Sequence, residues 1–153
     1  MQKKAKMIKL ITVVVLALSL GLFFLPYLKL GGDFYNPVQI LELISDNRGA
    51  IRSDATFEVV FSFIVPVGLT ALSAFIMIFK PGVPKSVICA VLNALAVGIY
   101  LLFFSQTFFD TSSGNVGFGL TGNIIIACLG IILPIVVIVI HKKALKDTVV
   151  SDS

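Results

Sequence analysis

The side chains that could do chemistry in this chain are few, and most lie outside its apolar runs. Eight acids, one histidine and two cysteines occur in 153 residues. Six of the acids fall on what we predict to be one side of a membrane: Asp33, Glu42, Asp46, Asp54, Glu58 and Asp110. Carboxylates bind hard cations when a loop spacing such as D-x-D-x-D-G brings them together, and these acids lack that spacing. We expect a solvated acidic face and no metal site.

The remaining reactive residues do not form a recognisable catalytic set. His141 lies at the opposite boundary from the acids, and Cys89 and Cys128 belong to different apolar runs. An intramembrane enzyme needs its nucleophile and its acid–base or metal groups at one depth. The cysteines differ too much in depth for a disulfide, which needs Cα atoms within about 7 Å. We therefore expect no catalytic residue, no cofactor and a non-enzymatic role.

Composition places the chain in lipid. It is 58% hydrophobic and 13% charged, whereas about 25% of the residues of a soluble domain are charged. Four uncharged runs reach the roughly 17 to 25 residues that a bilayer-spanning helix needs: approximately Leu10–Leu28, Val59–Phe79, Val87–Phe104 and Ile124–Ile140. Backbone amides in lipid must be paired within their own segment, so each run is predicted to be a helix. The predicted fold is all-α, a single four-helix transmembrane bundle over residues 1–153 with tails 1–9 and 141–153.

The distribution of charge predicts the orientation of these spans. An even number of spans places both tails on one side, together with the turn between the second and third runs. That side carries nine lysines against two aspartates, and the other carries three basic residues against six acids. Short basic loops stay cytoplasmic, so we expect both termini in the cytosol of a multi-pass protein of the cell (inner) membrane. The lysines suit contact with anionic lipid headgroups, and we expect no nucleic-acid partner.

The stretch YNPVQILELISDNRG, between the first two runs, predicts a short helix over Pro37–Asp46. Asn36 is a favoured N-cap residue, Pro37 suits the first helical position, and Gln39 completes a capping-box pattern. About ten residues are too few to cross a bilayer. We expect this helix in the first outer loop, on the extracytoplasmic side.

The predicted outer helix has two different faces. At 100° per residue, Ile40, Leu41 and Ile44 fall on one arc, and Glu42 and Asp46 fall on the other. Such a helix lies flat, with its apolar arc on the bundle mouth or in the headgroup layer and its acids facing out. We predict these five residues as contacts for a partner.

Five residues inside the predicted spans stand out by polarity or by backbone geometry: Asn93, Ser62, Pro66, Gly130 and Pro134. Pro66 leaves the carbonyl of Ser62 without its amide partner, and Pro134 does the same to Gly130, so bends are expected at both places. Asn93 is the most polar residue at depth. An interhelical hydrogen bond from it would contribute on the order of 0.5–2 kcal/mol.

The layout of inner termini, a longer first outer loop and a shorter second one resembles that of claudin-type tetraspans. The resemblance covers topology alone, because the chain has no tryptophan and no loop cysteine. Small multidrug transporters are similar in size, but they depend on a glutamate within the first span, and the first run here has none. Short termini, frequent Lys, Ile and Phe and the missing Trp are typical of small bacterial tetraspan membrane proteins.

Two functions follow from this reading. The first is association with another membrane protein, with a second copy or with lipid, as an accessory subunit, a modulator or an immunity protein. Its contact surfaces would be the outer helix and the small-residue faces of the second and third spans. The alternative is an oligomeric small channel or facilitator lined by Ser62, Thr70, Ser73 and Asn93. Ion-coupled transport usually needs an ionisable group in the membrane, and the runs contain none.

Overall fold

A computed structural model of the protein describes residues 2–46, 55–79, 82–106 and 116–151. Asp54 and Asp110 of the acidic set lie outside these ranges. The structure is mostly helical, and five helices are described. They are α1 (Gln2–Leu22), α2 (Pro37–Asp46), α3 (the consecutive segments Ala55–Val59, Val60–Ile64 and Val65–Ile78), α4 (Val83–Gln106) and α5 (Phe118–Ser151). Two short strands, β1 (Leu28–Leu30) and β2 (Asp33–Tyr35), lie between α1 and α2.

Three of the described helices are long and apolar enough to cross a bilayer. The qualifying segments are Thr56–Ile78 in α3, Val83–Phe104 in α4 and Phe118–Lys143 in α5. Large apolar side chains such as Phe75, Leu95 and Val139 are exposed along them, which suits lipid and not water. The predicted membrane class is confirmed for these three helices. That α1 forms a fourth span remains a prediction.

The long helices pack as neighbours in a closed order. α1 contacts α3 and α5, and α4 contacts the same two helices. Lys9 of α1 donates hydrogen bonds to the carbonyls of Ile78 and Phe79 at the end of α3, at 2.9 and 2.8 Å. The start of one helix therefore meets the end of the next. α1 and α4 run in one direction, and α3 and α5 run in the other.

This antiparallel packing gives the molecule two chemically different ends. At one end α1 and α4 begin, α3 ends and α5 passes through Lys142 and Lys143; we call it the lysine end. At the other end α1 and α4 end, and β1, β2, α2 and the starts of α3 and α5 come together; we call it the hairpin end. Four acids among the described residues lie at the hairpin end: Asp33, Glu42, Asp46 and Glu58.

The β-hairpin is a feature that the sequence analysis did not predict. The first apolar run continues to Leu28, but α1 ends at Leu22, ahead of Pro26. β1 and β2 pair antiparallel with Leu30 opposite Asp33. Gly31 and Gly32 form the two-residue turn with φ of 61° and 108°, a left-handed backbone that glycine adopts without a steric penalty.

α3 is irregular where a bend was expected. Its middle segment, Val60–Ile64, is a π-helix, and the N–H of Val65 donates to the carbonyl of Val60. Pro66 follows at once and has no N–H to donate, so the normal hydrogen-bond ladder is interrupted over this turn. In α5, the helical backbone continues through Pro134.

The largest buried cluster lies at the hairpin end. Its members come from the residue before β1 and from β1, α2, α3, α4 and α5: Tyr27, Leu28, Ile40, Ile44, Val59, Phe63, Tyr100, Phe103 and Leu120. Aromatic rings form its centre, with the Phe63 ring edge-on to Tyr27 at 5.2 Å and to Phe103 at 4.8 Å. Such edge-to-face pairs each contribute about 0.5–1.5 kcal/mol beyond their buried area.

Candidate functional site

The amphipathic helix α2 starts with a fully formed capping box. The N–H of Gln39 donates to Oδ1 of Asn36 at 2.9 Å, and the N–H of Asn36 donates to Oε1 of Gln39 at 2.9 Å. Two of the amides that a helix start leaves free are satisfied reciprocally in this way. The helix therefore begins at a fixed residue and in a fixed direction. We call residues 26–46, which contain β1, β2 and α2, the hairpin cap.

The apolar arc of α2 is buried inside the protein itself. Ile40 is 0% exposed and Ile44 is 7% exposed, and Leu41 packs against the same cluster at the hairpin end. These three residues were predicted as partner contacts, but in this conformation their side chains pack within the chain. Glu42 and Asp46, on the opposite arc, are exposed. Of the five predicted contact residues, the two acids are exposed, Leu41 is half-buried and the two isoleucines are buried.

Two backbone hydrogen bonds attach the hairpin cap to the start of α5. The N–H of Gly117 donates to the carbonyl of Tyr27 at 2.7 Å, and the N–H of Gly119 donates to the carbonyl of Pro26 at 2.8 Å. A Cβ at Gly119 would lie 2.7 Å from the carbonyl oxygen of Leu25, so only glycine permits this approach. Glycine therefore permits the start of α5 to pack closely against the backbone at the end of α1.

Asn93 links two helices, as the sequence suggested. Its Nδ2 donates to Oγ of Ser73 in α3 and to the carbonyl of Cys89 in its own helix, both at 2.8 Å. The hydroxyl of Ser73 donates in turn to the carbonyl of Thr70 at 2.7 Å. Asn93 and Ser73 are both 0% exposed. We call Thr70, Ser73, Cys89 and Asn93 the Asn93 cluster.

Gly130 of α5 packs against the side chain of Asn93. A Cβ at this position would lie 2.5 Å from Cγ and 2.5 Å from Oδ1 of Asn93, so the amide packs on the bare backbone of α5. The Oδ1 atom finds no hydrogen-bond partner in the described ranges. Asn93 and Gly130, singled out separately in the sequence, are in direct contact, whereas Ser62 and Pro66 lie further along α3 toward the hairpin end.

The predicted pore-lining residues face the interior of a single chain. Ser62 is 5%, Thr70 2%, and Ser73 and Asn93 0% exposed. A pore at the centre of an oligomer would be lined by faces that are exposed in one chain. These four residues therefore do not support an oligomeric pore.

A second buried polar cluster, which the sequence analysis missed, lies at the hairpin end. Nδ2 of Asn123 donates a hydrogen bond to the hydroxyl of Tyr27, and the hydroxyl of Tyr100 is hydrogen-bonded to that of Tyr27. All three side chains are at most 2% exposed. We call them the tyrosine–asparagine cluster. Tyr27 lies near the end of the first predicted span, and Asn123 lies just before the predicted fourth span.

Little in the described part of the chain points to redox or metal chemistry. Both cysteines are free, and the thiol of Cys89 donates to the carbonyl of Ser73 at 3.3 Å. Within residues 2–46, 55–79, 82–106 and 116–151, no group of three or more His, Cys, Asp and Glu side chains is placed to hold a metal ion.

The chain matches no protein-family model, no curated protein and no solved structure. The resemblance to claudin-type tetraspans therefore remains one of layout. The site must be interpreted from its own geometry, which consists of an acidic cap surface and two buried polar clusters.

Proposed function

We propose that the chain is a four-span protein of the cell membrane that works, without catalysis, by association with another membrane protein. α1 is the fourth span, both termini lie in the cytosol, and the hairpin end faces outward. The positive-inside rule supports this orientation, because the lysine end carries basic residues and the hairpin end carries the acids. The partner surface is the exposed acidic face of α2.

The observation that supports association most directly is that the apolar face of α2 is buried within the chain while its acidic face is exposed. Ile40 and Ile44 are buried in the chain's own cluster, while Glu42 and Asp46 are exposed on the same helix. The capping box and the packing fix this acidic face before any partner arrives. A pre-ordered surface loses less conformational freedom on binding. A partner of this kind would present Lys or Arg side chains outside the membrane.

The test is a charge reversal on the acidic face. Cells producing the tagged protein are solubilised in mild detergent, and membrane proteins that copurify are identified and quantified. We expect Glu42→Lys to reduce recovery of an associated membrane protein at least about tenfold, since like charges across an interface cost several kcal/mol. Asp33→Lys is the matched control, because it makes the same charge change at the hairpin turn, outside α2. Equal recovery for both variants would remove the acidic face from the proposal.

A second function has support from the Asn93 cluster. Its polar side chains and that of Ser62 are buried and belong to α3 and α4, which are apolar enough to span the membrane. Polar residues at such depth often mark substrate pathways. We therefore propose a facilitator as the alternative, with a path inside one chain in place of the oligomeric pore expected from the sequence. Asn93→Leu in liposomes would then abolish flux of a small neutral solute while folding and oligomeric state are retained. Unchanged flux would leave Asn93 as a structural hydrogen-bond donor.

A further inference from the structure

Large aromatic side chains are exposed near the hairpin end of the three helices that are long enough to cross a bilayer. Phe61 of α3 is 38% exposed, Phe104 of α4 is 37% and Phe118 of α5 is 85%. Phe57, which is 69% exposed, stacks on Phe61 with 5.6 Å between the ring centroids. Exposed apolar groups of this size mark contact with a membrane or with another protein. We call these four residues the phenylalanine set.

Three of the four phenylalanines lie at the same height along the molecule. The Asn93 cluster and Gly130 provide the reference height, because Asn93 is hydrogen-bonded to Ser73 and packs on Gly130. Rings on three neighbouring helices form one layer, since at about 1.5 Å per residue each helix runs roughly 16–18 Å from the reference height toward the hairpin end before it reaches a member of the set. The distances run from Ser73 to Phe61, from Asn93 to Phe104 and from Gly130 to Phe118.

The lysine end has a layer of its own at the opposite height. Lys9 donates to the carbonyl of Phe79 at 2.8 Å, and the ammonium of Lys85 lies 5.5 Å from the centroid of the Phe79 ring. Lysines at the ends of apolar helices keep their ammonium groups at headgroup depth. Phe79 and Lys85 lie roughly 9–12 Å from the reference height, so the two layers are roughly 25–30 Å apart. This separation matches the hydrocarbon core of a bilayer, which is about 30 Å thick.

The amphipathic helix α2 lies at the height of the phenylalanine set. It contacts the first segment of α3, Ala55–Val59, and Ile40 is buried in one cluster with Val59. That segment carries Phe57 and comes directly before the π-helical turn that contains Phe61. Phenyl rings and an amphipathic helix therefore occur together, which is typical of helices that lie in the boundary between headgroups and acyl chains.

We propose that the phenylalanine set is a lipid-binding surface at the boundary between headgroups and acyl chains, and that it holds α2 at headgroup depth. Lipid is the occupant because it surrounds the molecule at one height, as these rings do, whereas a partner protein would cover one side. Glu42 and Asp46 then face the headgroup layer, so a partner meets them at the membrane surface. This surface deepens the proposed function and rests on its membrane residence, but not on the partner or on the orientation.

Single tryptophans test the depth of the surface, because the chain has no tryptophan of its own. Phe61→Trp and Phe118→Trp are prepared in nanodiscs that hold one chain each, with lipids brominated at different positions of the acyl chain. We expect both tryptophans to be quenched most by the bromines nearest the headgroup, roughly 15 Å from the bilayer centre. Leu95→Trp is the control, because Leu95 is 55% exposed and lies within about 3 Å of the reference height. Bromines near the chain ends should quench it most.

Two results would overturn the proposal. In the first, either Phe61→Trp or Phe118→Trp is quenched at the depth of Leu95→Trp. In the second, aqueous iodide quenches either of them and brominated lipid does not, which would leave the rings for a partner protein. The discs contain no partner, and depth in a symmetric bilayer is the same for either orientation. Failure here would therefore leave the association test with Glu42→Lys standing, and failure of that test would leave the lipid surface standing.

Val38→Trp tests the depth of α2 in the same discs. Val38 is 39% exposed in the first turn of the helix. We expect lipids with a nitroxide on the headgroup to quench this tryptophan more strongly than lipids with a nitroxide in mid-chain. Quenching by aqueous iodide alone would place α2 in water, and strongest quenching from mid-chain would place it within the hydrocarbon. Either result would overturn the proposal that the phenylalanine set holds α2 at headgroup depth.

Discussion

At the scale of single residues, the contact between Asn93 and Gly130 shows why a polar amide can lie deep among apolar helices. Nδ2 is satisfied by Ser73 and by the carbonyl of Cys89, and the flat amide packs on a backbone without a side chain. Gly130 is thus a steric requirement of Asn93. This pairing explains the position of a glycine within a helix, where it would otherwise be unfavourable.

Gly130→Ala should destabilise the fold by about 1–3 kcal/mol, as is usual when a side chain is forced into a packed interior. The added Cβ would lie 2.5 Å from Cγ of Asn93. Gly98→Ala is the matched control, because a Cβ at Gly98 meets nothing within 4 Å; its stability should be unchanged or raised by up to about 1 kcal/mol. Unfolding in mixed detergent micelles measures both. Equal stability of the two variants would contradict the described packing.

The hydrogen bond between Asn93 and Ser73 should appear as a coupling energy. In a double-mutant cycle with Asn93→Leu and Ser73→Ala, we expect a coupling of about 0.5–1.5 kcal/mol, the range measured for interhelical polar pairs in membranes. The same cycle with Ser62→Ala in place of Ser73→Ala serves as the reference, since no hydrogen bond joins Ser62 to Asn93 among those described. Additive losses for the Ser73 pair would count against the bond.

Sequence reasoning located Asn93 because a lone amide inside a long apolar run is conspicuous. It missed Tyr27 and Asn123 for a physical reason. Both lie at the ends of apolar runs, where polar residues are expected in water or headgroups, and only the folded chain buries them together. The nearest signal is the glycine spacing at Gly117, Gly119 and Gly122, which permits a close approach of backbones that is visible only once the partner segment is known.

At the scale of elements, the bounds of α2 are determined by its own sequence, and its position is determined by the elements that it packs against. Its range over Pro37–Asp46 follows from the capping box and from the 3.6-residue spacing of its apolar positions. Sequence reasoning could therefore predict its bounds. The hairpin before it could not be predicted in the same way, because strands of three residues carry almost no periodic signal; the Gly31-Gly32 turn was its only marker.

Asn36→Ala should loosen the start of α2 without displacing its buried arc. Loss of an N-cap side chain costs about 0.5–2 kcal/mol, and here it also leaves the amide of Gln39 without its acceptor. Hydrogen exchange at the first turn of α2 should rise about 2- to 30-fold, the factor that corresponds to this cost. Asn36→Ser, which can still cap, should restore slow exchange. Identical exchange in Asn36→Ala and the unmodified chain would show that the box is not needed.

At the scale of the whole molecule, antiparallel packing sorts charge into two ends. Neighbouring helices run antiparallel, so the segments rich in lysine meet at one end of the molecule. The acidic segments meet at the other. The sequence predicted this sorting from the number of spans and the lysine counts. It could not provide the order of contacts, in which α1 lies between α3 and α5, because exposed faces in lipid and buried faces are both apolar.

Cysteine labelling in intact cells tests the proposed orientation. Glu42→Cys, on the exposed face of α2, should react with a membrane-impermeant maleimide from outside. Lys143→Cys, at the lysine end of α5, should react only after the membrane is permeabilised. The unmodified chain provides the background, as Cys89 is buried and Cys128 is half-buried in an apolar helix. The reverse pattern of labelling would invert the topology, and labelling of both sites from one side would require an even number of crossings between them.

α5 is longer than a bilayer span requires, and one of its ends is held by the hairpin cap. It has 34 residues, which at about 1.5 Å each make a rod of roughly 50 Å, while the hydrocarbon layer is about 30 Å thick. The hairpin cap holds one extremity of this rod through the amides of Gly117 and Gly119. A tilt of about 5° at the held extremity would swing the distant tip sideways by roughly 4 Å, so a small rearrangement on one face of the bilayer would become a larger displacement beyond the other.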